Sequence, residues 1–339
     1  MNRVKMCVSA LAFLTTVGFN LCAQKKPETN EFLIADKSYA AEIYIDKSGS
    51  EYEGLSLIAQ AFANDVFLVS GQKPSVITDE NKLAGTVPVI AGVIDESNDG
   101  LLSRLISSKK IDVSQIQGKW ECYTIQLVEA PLPDVKKALV IAGSDKRGAI
   151  YGIFHVSELM GVSPWVYYGD VVPVHKDTVS FSKTEVEVTS KEPSVKYRGI
   201  FLNDEAPNLT SWTDKKFGGR NRDFYATMFE VILRLKGNYL WPAMWGDEFS
   251  KGGNKGLGSS VSPLASAELA DKYGIVMGTS HHEPMCRAGN EWGQEYKNYL
   301  KPKDAAIGSK KHGIILSMVM LLRISGKMAM SVIKTLKIL

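Results

Sequence analysis

Cysteine is scarce in this chain: there are four in 339 residues, and two of them, Cys7 and Cys22, fall within the first 23. Loss of that leading segment would leave only Cys122 and Cys286, too few for a disulfide framework. These two fall in different predicted domains, so unpaired buried thiols are expected. The leading apolar run, Met6 to Phe19, is too short to favour a membrane span. Nucleotide and metal signatures are also missing. No glycine-rich fingerprint surrounds Gly143, no HExxH spacing is present, and no Gly-x-Ser-x-Gly nucleophile elbow occurs. Acidic residues are absent from two places, residues 1–23 and 305–339, which carry two and six basic residues. Taking those charges from the formal +3 leaves the body at −5. A nucleic-acid footprint needs a basic face on the folded body, and this body is mildly acidic, so no nucleic-acid partner is expected.

What is present at the start is Arg3 and Lys5, the apolar run, and a small residue at Ala23. Together they predict a secretory signal peptide over residues 1–23 and export to the periplasm or beyond the cell. Cys22 raises a lipid-anchor alternative, but Phe19-Asn20-Leu21 before it lacks the small residues such processing prefers.

From Phe32 to about Glu192, β-type runs alternate with helical ones. This predicts an α/β domain over 24–190, with strands at Phe32–Ile34, Ala41–Ile45, Val66–Val69, Val87–Ile94, Tyr123–Val128 and Ala138–Ile141. The clearest unit is Ala138–Gly143 followed by a helix over Lys146–Met160, capped by Ser144 or Asp145 and stopped by Gly161. Gly143 reads as a structural turn, with phosphate binding as the weaker alternative. Ser163-Pro-Trp-Val-Tyr-Tyr168 reads as an aromatic plug at the domain junction or as a contributor to a sugar site.

The second region repeats strand, loop and helix three times, and each strand ends in polar or aromatic chemistry. Tyr197–Leu202 leads to Asn203-Asp204-Glu205, Gly237–Leu240 to Trp241-Pro-Ala-Met-Trp245, and Gly274–Ser280 to His281-His282-Glu283-Pro284. Helices are expected at Asp223–Lys236, ended by Gly237, and at Pro263–Lys272. Functional residues gathered at successive strand ends predict the first part of a TIM-like (β/α)8 barrel over 191–303.

These motifs resemble glycoside hydrolase family 115, the xylan α-1,2-glucuronidases. The resemblance rests on Lys196–Glu205, Arg234–Trp245 and Tyr273–Met285, with Glu291-Trp292, Gly143–Gly148 and Ser163-Pro-Trp165 in support, and covers roughly residues 30 to 300. It implies hydrolysis of α-1,2-linked (4-O-methyl)glucuronic acid from glucuronoxylan or its oligosaccharides, with inversion and without cofactor or metal. It also implies that full-length relatives can be homodimeric, and that a main catalytic carboxylate lies on a later strand. After about residue 303 the likeness stops, and residues 304–339 read as an aberrant basic, hydrophobic tail from a frameshift or broken gene, with a genuine basic appendage as the weaker alternative. A chain inactive by itself is therefore expected. The competing expectation is a carbohydrate-binding or non-functional remnant.

Glycoside cleavage needs two carboxyl groups flanking the bond. Asp204 and Glu205 are the catalytic candidates here, but neighbours on extended backbone point to opposite sides and cannot line a site alike. Asn203 and Asp204 read as ligands of sugar hydroxyls or catalytic support, against a cap or loop brace. Trp241 and Trp245 offer ring faces to sugar C–H groups, or pack in the core. His281, His282 and Glu283 read as hydrogen-bond partners of substrate, since adjacent histidines diverge and make a poor metal pair. Arg287 suits fork-like recognition of a uronate carboxylate, with Arg198, Arg220 and Arg222 as alternatives.

Overall fold

Period-two alternation in three apolar segments builds the first sheet. The computed structural model describes residues 31–278 apart from 96, 98, 204–206, 244–248 and 250–264. Its early strands are β1 (Glu31–Ala35), β2 (Ile43–Ile45), β3 (Val76–Ile77), β4 (Val89–Val93), β5 (Tyr123–Leu132), β6 (Val135–Gly143), β7 (Val179–Ser182) and β8 (Val188–Thr189). Helices α1 (Tyr52–Ser70), α2 (Leu101–Ser107), α3 (Lys146–Met160) and α4 (Lys183–Val186) are interspersed among them. Six strands form one sheet in the order β3-β2-β4-β6-β5-β8, parallel through β6 and antiparallel at β5 and β8. β1 and β7 form a separate antiparallel pair. On one face Ile43, Ile45, Val89, Ala91, Leu139 and Ile141 pack under α1 and α3. The alternate residues Tyr44, Ile90, Ala138 and Val140 face Leu101, Leu102 and Leu105 of α2.

Two local expectations need correction. Val66–Val69 is not a strand but the last turns of α1. Read over the whole segment, Leu55, Ile58, Ala59, Phe62, Val66 and Val69 make one buried helical face, which a four-residue window cannot distinguish from a buried strand. Gly237 does not supply the left-handed stop after the helix at 222–234, because Lys236 takes that conformation with φ 58°. The glycine is needed for close approach instead, since a Cβ there would lie 2.9 Å from Ile232 Cγ2 and 3.0 Å from the Arg198 carbonyl oxygen. The helix α3 begins and ends at the expected residues: Asp145 accepts from Gly148 N–H at 2.8 Å, and Gly161 is left-handed with φ 95°.

The second sheet contains β9 (Gly199–Phe201), β10 (Tyr239–Trp241) and β11 (Val276–Met277), all parallel and adjacent in chain order. The connections are helical: α5 (Asn208–Phe217) and α6 (Arg222–Arg234) precede β10, and α7 (Ala265–Tyr273) precedes β11. Asn221 caps α6 by accepting from Asp223 and Phe224 N–H. The fold is thus mixed α/β with parallel-rich sheets, and the described part of the second region has three consecutive parallel strands joined by helices.

A single hydrophobic cluster crosses from the first sheet to the second. Phe224, Phe229, Ile232, Leu233, Leu240 and Tyr273 belong to the same core as Phe62, Phe154 and Ile141. α6 packs on α3, and α7 on α1. At the centre of this contact Arg234 makes a two-bond fork to Asp65 of α1 at 2.8 and 3.0 Å, and lies 4.3 Å above the Phe154 ring of α3. Glu230, one turn earlier, reaches Arg234 at 3.2 Å; burial nevertheless raises its carboxyl pKa.

A second polar knot ties the two sheets at the N-terminal ends of β9–β11. Glu121, fully buried and left-handed at φ 54°, accepts from Arg147 Nε at 2.5 Å, from Asn238 Nδ2 at 2.6 Å, and from Arg198. Tyr151 donates to the Gly237 carbonyl at 2.8 Å, and Arg147 to that of Gly274 at 3.0 Å. Removing one partner from a buried ion pair leaves uncompensated charge and costs about 3–5 kcal/mol. Glu121→Gln, which keeps the shape and loses the charge, is accordingly expected to destabilise the chain by about 3 kcal/mol, measured by urea unfolding.

His155 provides a pH dependence. Burial, aided by Lys236, lowers its pKa against the opposing pull of Glu158, whose carboxylate is 3.6 Å away. A depressed folded-state pKa means that stability is present above the unfolded value of about 6.5 and is lost as pH falls through the folded one. Melting temperature should therefore decline below about pH 6.5, and His155→Gln should remove part of that decline.

Candidate active site at the strand ends

Parallel strands place all their C-terminal ends on one side, and here the two ends of the second sheet are occupied differently. The N-terminal ends carry the Glu121 knot, so Arg198 is committed to docking. Besides meeting Glu121, it donates to the carbonyls of Lys236 at 2.9 Å and Val195 at 2.7 Å. This removes Arg198 from the candidates for binding a uronate. Arg220 donates to Thr210 at 3.0 Å, and Arg222 opens α6.

At the C-terminal ends, Leu202 N–H donates to the Trp241 carbonyl at 2.9 Å and Gly278 N–H to that of Leu240 at 2.9 Å. Asn203 is exposed one residue beyond Leu202, and Trp241, half-buried, ends the neighbouring strand. These two sequence-predicted residues therefore belong to adjacent strand ends. Asp204, Glu205, Trp245, His281, His282, Glu283 and Arg287 lie outside the described residues.

An aromatic face on the sheet was not singled out from the sequence. The register sets Tyr239 opposite Gly199 and Val276, and Trp241 opposite Phe201. By strand alternation Tyr197, Gly199, Phe201, Tyr239, Trp241 and Gly278 share one face, while Leu202, Leu240 and Met277 turn into the core. Tyr197 stands 5.7 Å from Tyr239, and Phe201 meets Trp241 edge-on at 5.6 Å. Tyr197 and Phe201 remain 43% and 39% exposed, and Tyr239 and Trp241 are half-buried. The alternation Tyr-x-Gly-x-Phe and Tyr-x-Trp was the available signal.

The motifs of the first region have structural roles. A Cβ on Gly148 would meet the Cys122 backbone, with its carbonyl carbon 2.9 Å away, so this glycine serves the close packing of α3 against the chain entering β5. Lys146 and Arg147 reach from that turn to the carbonyls of Asp271 and Gly274, both at 3.0 Å. The aromatic cluster acts as the junction plug: Tyr168 bonds Thr227 of α6 and lies 5.4 Å from Trp212 of α5. Cys122 is a buried free thiol whose pKa burial raises. Among the described residues no group of three or more His, Cys, Asp or Glu could hold a metal, and no helix is long and apolar enough to cross a membrane.

Residues 190–310, which include these strand ends, match Glycosyl hydrolase family 115. Among solved structures, a family GH115 4-O-methyl-α-glucuronidase with specificity for decorated arabinogalactans is 30% identical, with a TM-score of 0.58. The match covers 80% of this chain and 32% of that enzyme, so the chain spans about a third of the relative's length. A Streptomyces plicatus N-acetyl-β-hexosaminidase (12% identity, TM-score 0.41) aligns over 76% of this chain and 44% of its own. A GH138 enzyme targeting pectin rhamnogalacturonan II (13%, 0.37) aligns over 77% and 35%. Neither of these two distant likenesses bears on function. No curated protein matches the chain.

Proposed function

Because the chain belongs to glycosyl hydrolase family 115, of which it carries one portion, we propose that it supplies part of an exported glycosidase site for α-linked (4-O-methyl)glucuronic acid side chains. The observation that carries this reading is the strand-end pair of exposed Asn203 and half-buried Trp241, inside the segment that matches the family. In this reading β9–β11 are the first strands of a (β/α)8 barrel over 191–303, seated on an α/β domain over 24–190. The functional residues are at the C-terminal face, where such barrels work.

The chemistry is acid–base hydrolysis with inversion. One carboxyl group protonates the leaving oxygen, and another activates a water on the opposite face of the sugar. Asp204 and Glu205 are the candidates from this chain, and Asn203 holds hydroxyls beside them. Trp241 and Trp245 offer ring faces, His281, His282 and Glu283 hydrogen bonds, and Arg287 a fork for the uronate. A second main carboxylate comes from the part of the relative's length that these 339 residues do not span. The polymer is glucuronoxylan from the motif resemblance. The GH115 relative, specific for decorated arabinogalactans, makes that backbone the second candidate; the uronic acid is common to both.

The experiment is to incubate the purified 339-residue chain with 4-O-methylglucuronic acid, with glucuronoxylan oligosaccharides and with decorated arabinogalactan, measuring binding by calorimetry and release of free acid. Binding of the uronic acid without release is the expected outcome. Release at the rate of a complete enzyme would show that both carboxyl groups are already present. Absence of both binding and release would sink the reading and favour a non-functional remnant.

A further inference from the structure

Resting on that reading, we infer that Tyr239 is the positioning residue for Trp241, holding the indole so that its ring face, and not its N–H, meets the sugar. The two side chains stand two residues apart on β10 and so share the open face. The indole Nε1–H donates to the Tyr239 hydroxyl at 2.6 Å. An indole has one donor and no acceptor, so this bond uses all its polar capacity. What Trp241 then presents is an apolar plane, suited to the C–H face of a pyranose. The uronate carboxylate has to be recognised by other residues.

Space for the arrangement comes from Gly278 on the neighbouring strand. A Cβ there would lie 2.5 Å from Trp241 Cδ1, and nearer still to Nε1 and to the Tyr239 hydroxyl. Gly278 is not in the left-handed region, so its lack of a side chain serves the indole and not the backbone. Phe201 packs edge-on against Trp241 at 74°, and Tyr197 backs Tyr239. The indole is thereby held at its N–H end, along one edge and from the adjacent strand. Tyr239, Phe201 and Gly278 act on the sugar only through Trp241.

The test uses the full chain with 15N-labelled indoles, the Trp241 resonance being the one lost in Trp241→Phe. Tyr239→Phe should shift that resonance and speed its exchange with solvent. It should also weaken 4-O-methylglucuronic acid binding about fivefold, the loss of one hydrogen bond, with little change in melting temperature. In the Trp241→Phe background the same substitution should weaken binding no further. Gly278→Ala should move the same indole resonance while leaving φ unstrained. An unmoved resonance in Tyr239→Phe, or an equal loss of affinity with and without Trp241, would overturn the inference. If the wild-type chain bound no uronic acid, the functional reading would fall, and the indole resonance would still decide the role of Tyr239.

Discussion

The second sheet depends on the burial of one carboxylate. Glu121 is removed from solvent and held in a backbone conformation that disfavours side chains other than glycine, asparagine and aspartate. It persists because three donors converge on it from separate elements: Arg147 from α3, Arg198 from the start of β9 and Asn238 from the start of β10. Each donor also contacts its own surroundings. Asn238 takes Arg198 N–H at 2.9 Å and gives to the Lys196 carbonyl at 2.7 Å, joining the two strand starts. Without Glu121, two guanidinium groups would face one another across the joint with no carboxylate between them, keeping only their bonds to backbone carbonyls. The paired Asp65–Arg234 fork fixes the helix layer in the same way, by charges that have no solvated alternative once the core closes.

This arrangement divides labour along the strands of the second sheet. The entrance of each strand meets the first sheet's helices and turns. The exit carries Asn203 and Trp241, the residues of the proposed site. The six-stranded sheet is therefore a foundation, and its glycine-lined turn at residues 143–148 is part of the joint, with Lys146 and Arg147 reaching from it to the carbonyls of Asp271 in α7 and Gly274 before β11. Docking and the proposed site thus sit at opposite ends of the same three strands.

Much of this was legible in the sequence, for identifiable reasons. α3 could be bounded because an Asx cap, an apolar face and a left-handed glycine all agree. The strand positions of the second sheet were legible from three motifs of similar design. α1 was misread at its end because a short valine-rich window satisfies both periods, and α5 was missed because it is mostly polar, with Thr213 its one buried residue. Of the candidate site residues, Asn203 and Trp241 were legible as strand-end positions. Tyr239 and Gly278 were not, because their importance lies in register between strands, which sequence spacing within one strand does not specify. The docking role of Arg198 was hidden for the same reason: its partner is 77 positions away in the chain.

The alternation Tyr239-Leu240-Trp241 also sets how this gene can change. β10 has three residues, flanked by Asn238 in the polar knot and by Pro242 immediately after the strand. A one-codon insertion between Asn238 and Tyr239 would move every following side chain to the other face, turning Leu240 out of the core and driving the indole into it. Loops beyond the strand ends can lengthen without that penalty. Length variation among descendants of this sequence should therefore collect after Ala243 and be purged between Asn238 and Trp241, so that alignment gaps alone would trace the strand.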